Sequence, residues 1–429
     1  MAADSNETPR IGQGRYQVLG LLALMAAIAY VQRAAISVPA AEIAADLQFP
    51  NLARDMGAVQ SAWYLCYALL QLPSGWFADR VGSRLAIVLF AGLWSCATLL
   101  SSLATDFVSL LMLWGLMGAA QAGAFPCAAK GIGQIFPETE RARASGLLAS
   151  GMAVGGAVAP VLAATLLELL TPVSAELAAA RWRLLFAAYA APGLLWACGF
   201  VLLVPASRLP SNRSSLASRS PVDWTRLFRS GPLALLCAQQ FFRAAGMVFF
   251  LTWFPVFLQQ TRGVSSLQSG VLTTIAGVGG ALGSLSGGFA SDWLYRRTGN
   301  ARLSRQGIAV AGMSICAVLI VASYFVADVH SSIALISLGA FCATFGGISG
   351  YTVAISFGGR HVATVFSTMN MCGNIGAALF PITAGWLVDL TGNWHLILFL
   401  FAGIMAVDAI CWALLNPRGT LFGDDDERG

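Results

Sequence analysis

Long blocks of apolar residues, separated by short polar segments, dominate the pattern along the chain. The blocks at 19–29, 85–104 and 396–415 contain a single charged residue between them, Asp408. A helix needs about 20 mostly apolar residues to cross a bilayer core about 30 Å thick. The pattern therefore predicts twelve membrane-spanning helices, which we number as spans 1 to 12. They lie at 16–40, 56–78, 85–104, 107–136, 143–170, 183–205, 232–260, 266–290, 306–327, 331–357, 362–388 and 394–415.

The composition supports a membrane protein made of helices. Hydrophobic residues make up 57% of the 429 residues and charged residues only 10%, whereas soluble proteins carry roughly 25% charged residues. An ordinary soluble enzyme is therefore excluded, and the predicted fold class is an all-α membrane protein. The net charge of +5 is spread over short loops, so it does not indicate a nucleic-acid partner. The expected surroundings are the lipid bilayer.

Neither the cysteines nor the glycines form a recognisable cofactor motif. The nine cysteines lie mostly inside apolar blocks and include no CxxC pair, which fits helix packing better than a disulfide or metal framework. The glycine-rich runs at 151–156 and 277–288 fit close contacts between helices. We expect neither a cofactor nor a metal ion.

Basic residues are distributed unevenly over the two ends of the predicted spans. If both termini lie in the cytoplasm, 19 of the 25 basic residues are on the cytoplasmic side. Only Arg54, Arg181, Arg183 and Arg262 fall on the other side. Because lysine and arginine accumulate in the cytoplasmic loops of membrane proteins, both termini are predicted to be cytoplasmic.

A segment rich in serine, arginine and proline divides the spans six and six. The predicted organisation is a cytoplasmic tail at 1–15, a six-helix bundle at 16–205, a cytoplasmic linker at 206–230, a second six-helix bundle at 231–416 and an acidic cytoplasmic tail at 417–429.

A short motif repeats in the two halves. GWFADRVGSR at 75–84 follows span 2, and GGFASDWLYRR at 287–297 follows span 8, which places Asp79 and Asp292 at matching points. Two related six-helix halves are typical of transporters that alternate around a central site. The predicted fold is therefore a pair of pseudo-symmetric six-helix bundles.

The first motif, G-x-x-x-D-R-x-G-x-R, resembles the signature loop of the major facilitator superfamily. Within that superfamily, further stretches are similar to the anion:cation symporter family, which includes bacterial sugar-acid transporters and the sialin and vesicular glutamate transporter group. They lie at 29–40, 121–146, 250–258, 287–297 and 367–381. The resemblance implies the major facilitator fold and a multi-pass transporter of the bacterial inner membrane. It further implies a monomer that moves a small organic anion and catalyses no reaction.

Three charged residues lie well inside predicted spans, away from the span ends, where each costs several kcal/mol unless it is paired or hydrated. They are Arg33, Arg243 and Asp408. Arg33 precedes Asp79 by 46 residues and Arg243 precedes Asp292 by 49, so the two arginines lie at nearly equal depth in the two halves. A guanidinium offers a planar fork that matches carboxylate or phosphate. We expect both arginines to face a central cavity and bind an anion; pairing with a buried acid is the structural alternative.

The family resemblance adds residues around the first arginine. Tyr30 and Arg33 are similar to a tyrosine–arginine pair that holds substrate carboxylates, and Arg243 resembles a substrate-binding arginine of the vesicular glutamate transporter group. Relatives typically carry proton-accepting acids where this chain has Gln32 and Gln121. Because a glutamine does not titrate, we expect a facilitator or an exchanger instead of a proton symporter. Alternatively, both glutamines simply hydrogen-bond the substrate or neighbouring groups.

Other polar residues inside the spans can line the same cavity. Gln240 lies one turn before Arg243, and Asn370 and Asn374 lie four residues apart in span 11, where relatives place substrate contacts. The remaining candidates are Tyr64, Tyr67, Gln71, Gln239 and Tyr351. Each one alone also fits helix packing, since polar side chains commonly join membrane helices.

The repeated loop motifs predict a conformational latch at the cytoplasmic ends of the helices. An aspartate there can cap a neighbouring helix and pair with arginines in one state of the transport cycle. The residues concerned are Asp79, Arg80, Arg84, Asp292 and Arg296. For the arginines, a role as positively charged anchors on the cytoplasmic side is the alternative.

Asp408 in span 12 is the remaining candidate for a proton site. A structural acid, paired or reaching water, is the alternative, because the terminal spans of this architecture usually lie away from the cavity. Two other functions stay open: the exchange of organophosphate or phosphate, and an anion-binding membrane sensor that transports nothing. An enzyme is not indicated, because His330, His361 and His395 are scattered near span ends without a Ser/His/Asp set.

Overall fold

The part of the chain described by the computed structural model, residues 8–136, 138–209, 229–358 and 362–416, is almost entirely helical and contains no strand. Eleven stretches in it are long and apolar enough to cross a membrane. They coincide with predicted spans 1 and 3 to 12, while predicted span 2 lies within the helix Leu52–Val81. The prediction of an all-α membrane fold is confirmed. The acidic tail, the first seven residues and most of the linker lie outside the described residues.

Seven spans are single uninterrupted helices, as expected where the backbone must satisfy its own hydrogen bonds in lipid. They are Leu52–Val81, Ser83–Ser101, Glu138–Leu169, Arg181–Leu203, Ser266–Thr298, Val362–Thr391 and Leu396–Leu414. Span 9 joins a six-residue π-helical segment, Arg302–Gly307, to the α-helix Ile308–Tyr324. Two short elements, the helix Thr171–Leu177 and the 3-10 turn Ala206–Arg208, flank span 6.

Spans 1, 4, 7 and 10 are each broken into shorter helices, a feature that the hydropathy pattern does not predict. In chain order the pieces are Thr8–Ala34 and Ala40–Asp46, Phe107–Gln121 and Ala124–Ile135, Gly231–Met247, Phe249–Thr252 and Phe254–Arg262, and Val329–Gly347 and Ser349–Gly358. Pro39, Pro126 and Pro255 lie at or within the first turn that follows a break. Proline favours this position because it has no N–H to donate to a preceding turn.

Glycines allow several helices to approach each other closely. A Cβ on Gly151 or Gly155 of span 5 would collide with the backbone oxygens of Ala23 and Ala27 on span 1. Span 8 approaches span 10 equally closely, because a Cβ on Gly287 would collide with the backbone oxygen of Phe345. Small residues four positions apart are typical of tightly packed membrane helices, so the glycine-rich runs have a packing role.

Two exposed aspartates begin spans 4 and 10, at matching points of the two halves. A carboxylate oxygen of Asp106 accepts from the backbone N–H of Ser109 at 2.8 Å, and one of Asp328 accepts from that of Ser331 at 2.7 Å. These backbone hydrogen bonds lower the pKa of both carboxyl groups. The ionised caps therefore stabilise the fold above the unfolded-state pKa, and this contribution is lost as pH falls through the lowered pKa.

The double variant Asp106→Asn with Asp328→Asn is expected to lose part of this pH dependence. Asparagine caps a helix about as well as aspartate but does not titrate. In thermal unfolding scans of detergent-solubilised protein, the melting temperature of the variant should fall less steeply than that of the natural protein below about pH 4. Equal slopes for the two proteins would contradict the assignment.

Packing divides the chain into two compact units. Unit 1 comprises Met1–Gln48 and Leu65–Arg219, and unit 2 comprises Phe49–Tyr64 and Ser220–Gly429. The boundary between these packing units therefore crosses span 2 as well as the linker.

Within unit 2, the first half of span 2 is held to span 11. Ser61 Oγ accepts from the backbone N–H of Ile382 at 3.0 Å, and the Asn51 side chain donates to the carboxylate of Asp389. Gly57 permits the contact, because a Cβ there would lie 2.5 Å from the backbone oxygen of Pro381. These polar contacts explain why residues 49–64 pack with the second unit.

Candidate functional site

Arg33 lies in the last turn of the first helix of span 1, next to two tyrosine rings. Its guanidinium carbon is 5.2 Å from the ring centre of Tyr30 and 5.8 Å from that of Tyr67 on span 2. Both distances are in the range of cation–π attraction, and Gln71 hydrogen-bonds Tyr67. All four side chains are partly exposed. The structure thus brings four of the predicted cavity residues together in unit 1.

Arg243 forms the corresponding cluster in unit 2. Its Nε and Nη2 donate to Oε1 of Gln240 at 3.2 and 2.9 Å, and Nη2 donates to the Tyr351 hydroxyl on span 10 at 3.2 Å. Gly347 leaves room for the arginine, because a Cβ there would lie 2.7 Å from Arg243 Cδ. No ion pair among the described residues involves Arg243. Neutral groups hold this guanidinium in place, which suits the binding of an anion.

Gln32 and Gln121 form hydrogen bonds between helices. Nε2 of Gln32 donates to the backbone oxygen of Tyr189 on span 6, and Nε2 of Gln121 donates to that of Ala29 on span 1 at 3.2 Å. Only 1% of Gln32 and 4% of Gln121 is exposed. An amide donates such a bond at every pH, whereas a carboxyl group donates only when protonated. Both glutamines therefore bond neighbouring helices, in line with the simpler of the two expectations.

The breaks in spans 1, 4, 7 and 10 lie beside these residues. Arg33 is the penultimate residue of its helix, and Gln121 is the last residue of its own. Arg243 lies one turn before the end of Gly231–Met247, and Tyr351 lies in the first turn of its helix. Discontinuous helices commonly build the binding sites of transporters, because their ends present unbonded backbone groups.

Both clusters lie within a region that matches a known family. Residues 22–381 match the Major Facilitator Superfamily. The chain belongs to this superfamily. The family resemblance inferred from the loop motif is confirmed, and the chain is a multi-pass membrane transporter, not an enzyme.

The similar proteins within the superfamily are transporters of organic acids. The chain is 28% identical to the probable sulfoacetate transporter of Cupriavidus necator over 430 residues, with 97% of each chain covered. It is 28% identical to the D-galactonate transporter of Escherichia coli, covering 94% of this chain and 96% of the relative. It is 30% identical to the hexuronate transporter of Bacillus subtilis, covering 91% and 92%. The three named substrates are all small organic anions.

Solved structures of superfamily members share the fold. A bacterial homologue of the human lysosomal transporter Spinster superimposes with a TM-score of 0.76 at 21% identity, covering 94% of this chain and 96% of the other. A D-xylose–proton symporter superimposes with a TM-score of 0.73 at 16% identity, covering 93% and 97%. At these identities the likeness shows the fold alone.

The superfamily loop motif after span 2 supplies contacts between helix ends. Arg84 donates to the backbone oxygens of Val201 and Val204 at 2.9 and 2.6 Å, at the end of span 6. A cation is favourable there because the C-terminal end of a helix carries a partial negative charge. Lys130 of span 4 donates to the backbone oxygen of Ala78 at 3.1 Å. Hydropathy does not predict this contact, although Lys130 stands out as the only lysine in the sequence.

In the second copy of the motif, the arginines contact residues of their own helix, Ser266–Thr298. Nε of Arg296 donates to the backbone oxygen of Asp292 at 3.4 Å, and Arg297 lies over the ring of Trp293. The side chain of Asp79 is outside the described side chains, and Arg80 is exposed. The conformational latch therefore stays a prediction in this superfamily member.

The other predicted cavity residues differ in their surroundings. The amide of Asn374 donates to the backbone oxygen of Asn370 at 3.1 Å, and both side chains are partly exposed. Gln239 is fully buried and donates to the backbone oxygen of Leu236, and Tyr64 is 3% exposed. Gln239 and Tyr64 are therefore packing residues in this structure, and the substrate role of the two asparagines stays a prediction.

Asp408 lies close to the Arg243 cluster but is not hydrogen-bonded to it. It is fully buried, and neither carboxylate oxygen has a hydrogen-bond partner among the described residues. Span 12 touches span 7 where Met405 meets Gly246, and Asp408 and Arg243 each lie one helical turn from this contact in their own helices. The two side chains form no ion pair in the described structure. The role of Asp408 as a proton site stays a prediction.

Proposed function

We propose that this superfamily member moves a small organic anion, a carboxylate, across the bacterial inner membrane by alternating access, with both termini in the cytoplasm. One observation carries the proposal. Each unit holds a partly exposed arginine between neutral aromatic and amide groups, next to a break in a membrane-spanning helix. A guanidinium stays positively charged at physiological pH and carries five N–H donors that match a carboxylate.

The chemistry of the two clusters supports an anion that also carries hydroxyl groups. Arg33 and Arg243 supply positive charge, while Tyr67, Gln240 and Tyr351 can donate or accept hydrogen bonds at the same places. The names of the relatives support the same class, because galactonate and hexuronate are hydroxylated carboxylates. Sulfoacetate combines a carboxylate with a sulfonate, and a guanidinium can bind either group.

The proposed mode of transport is facilitated diffusion or exchange. The side chains of Gln32 and Gln121 are buried and donate hydrogen bonds to backbone carbonyl groups of neighbouring helices. An amide neither takes up nor releases a proton in the physiological range. The substrate gradient, and the membrane potential for a net charged species, then drive the movement.

A thermal-shift screen tests the substrate class directly. Ligands that bind the native state stabilise it by mass action, by about 2.7 kcal/mol at a concentration 100 times the Kd. Purified protein is heated with sulfoacetate, D-galactonate, D-glucuronate, D-glucarate and glucose 6-phosphate. We expect a carboxylate to raise the melting temperature and then to exchange in proteoliposomes. Stabilisation by the phosphate ester alone would favour organophosphate exchange, and binding without flux would favour a sensor.

The latch leads to a separate expected result. Asp79→Asn should slow transport more than it weakens binding, because Asp79 lies in the loop motif two residues before the end of the helix Leu52–Val81. It follows Tyr67 by 12 residues, about 18 Å along the helix. Counterflow rates and thermal-shift affinities of the variant and the natural protein are compared. Equal losses of rate and affinity would instead assign Asp79 to the binding site.

A further inference from the structure

Two cysteines of unit 2 are neighbours on adjacent spans. The thiols of Cys237 on span 7 and Cys372 on span 11 lie close enough to interact with each other. Both are partly exposed and neither takes part in a disulfide. The apolar surroundings of the cysteines predict a packing role, and a separation of 135 positions gives no sign that these two meet.

The helices that carry the two cysteines approach very closely. A Cβ on Gly376 would collide with the backbone oxygen of Phe241, and a Cβ on Gly373 would lie 2.9 Å from Cγ of Gln240. The partner numbers rise together along both helices, so the helices run in the same direction. A disulfide needs Cα atoms about 4.4–6.8 Å apart, and the close backbone approach at Gly373 and Gly376 favours such a short separation at the neighbouring cysteines.

The thiol pair lies at the base of the Arg243 cluster. Cys237 is one helical turn before Gln240, which holds the Arg243 guanidinium. Cys372 lies between Asn370 and Asn374 on span 11. A covalent bond between the cysteines would therefore fix the first helix of span 7 at the point where it carries the proposed binding residues.

A disulfide between the cysteines would join a broken span to a continuous one. Span 7 is broken after Met247 and again at Trp253, whereas span 11 is one helix, Val362–Thr391. Transporters change state by moving broken helices and bundles around the bound substrate. Tying Gly231–Met247 to a continuous helix removes the freedom of the broken span relative to its neighbour.

We propose that Cys237 and Cys372 are a peroxide-sensitive dithiol whose oxidation to a disulfide stops transport; the inference rests on the proposed transport function. One thiol attacks the O–O bond of a hydroperoxide such as hydrogen peroxide, giving a sulfenic acid and one water. The second sulfur then displaces the hydroxyl group as a second water and forms the S–S bond. The two thiols lose two electrons and two protons, and the peroxide is reduced. A small dithiol reductant reverses the reaction by exchange.

The test combines mass spectrometry with counterflow. Protein in proteoliposomes is treated with hydrogen peroxide, the remaining thiols are blocked with N-ethylmaleimide, and peptides are analysed without reduction. Counterflow is followed with labelled sulfoacetate, D-galactonate and D-glucuronate as probes. We expect a linked peptide pair containing Cys237 and Cys372, loss of counterflow, and recovery of both after dithiothreitol.

Substitutions separate this pair from the other cysteines. Cys237→Ser and Cys372→Ala should each keep counterflow in the presence of peroxide, because neither can form the bond. Cys316→Ser is the matched control: Cys316 also neighbours a cysteine of an adjacent span, Cys342, but is fully buried, and this variant should stay sensitive. If a serine variant does not fold, the alanine variant at the same position replaces it.

The outcomes distinguish this inference from the proposed function. Absence of the linked peptide, or a linked peptide with unchanged counterflow, overturns the inference while leaving transport intact. Continued peroxide inhibition of the Cys237 and Cys372 variants overturns it as well. Failure of the reduced protein to exchange any of the three anions contradicts the proposed function, and the linked peptide then still reports whether the thiols pair.

Discussion

Replacing Arg33 or Arg243 by alanine is expected to abolish saturable uptake of the organic anion while the protein still folds and inserts. The guanidinium of Arg33 lies beside the rings of Tyr30 and Tyr67, and that of Arg243 donates to Gln240 and Tyr351. Removing one partner of a desolvated charge pair costs about 2–5 kcal/mol. At 1.4 kcal/mol for each factor of ten, the loss of affinity is roughly 30-fold to more than 1,000-fold.

The measurements are the thermal shift at saturating anion and the counterflow rate, for each variant beside suitable controls. Arg33→Lys and Arg243→Lys keep the charge but lose the planar fork, so they should retain a weaker affinity. Arg262→Ala is the matched control, because Arg262 donates to the backbone oxygens of Val326 and Ala327 at the end of span 9. Its loss should lower thermal stability and leave anion affinity unchanged. Normal transport by both Arg33→Ala and Arg243→Ala would refute the proposed site.

Much of the fold follows from the sequence because membrane-spanning helices are specified locally. The apolar block at 85–104 predicts the observed helix Ser83–Ser101 within a few residues, since length and hydropathy alone decide whether a segment can cross lipid. The breaks in spans 4 and 7 could not be predicted from the sequence. An apolar run stays apolar across a break, and Pro126 and Pro255 are compatible with either an early helix turn or a kink.

The candidate site was predictable where it depends on charge or on helical spacing. Arg33 and Arg243 stand out because a charge inside an apolar span is costly, and Tyr30 and Gln240 follow from one helical turn. The partners of the glutamines did not follow. Gln32 bonds the backbone oxygen of Tyr189, 157 positions away, and a backbone carbonyl group is the same for every residue type.

The hydrogen bonds of Gln32 and Gln121 lead to the second prediction with a large expected effect. We expect that transport does not require protons carried by spans 1 and 4. A coupling group must take up and release a proton as the site alternates between the two sides of the membrane. Gln32 and Gln121 donate from their amide groups to helix carbonyl oxygens and cannot do this. In proteoliposomes, counterflow of the anion should therefore survive collapse of the pH gradient by a protonophore.

Restoring acids at the two positions should create the missing pH dependence. In Gln32→Asp with Gln121→Glu, a carboxyl group replaces the amide that donates to the backbone oxygen of Ala29. That bond exists only while the carboxyl group is protonated, and an ionised carboxylate there would face a carbonyl oxygen without a donor, so transport should fall as pH rises. Gln268→Glu is the control, since it adds an acid at the exposed start of span 8, within a capping box that glutamate preserves. Its counterflow should show the same pH profile as the natural protein.

Concentrative uptake driven by an imposed proton gradient in the unmodified protein would overturn the expectation that transport needs no protons. It would direct attention to Asp408, the fully buried acid beside Arg243.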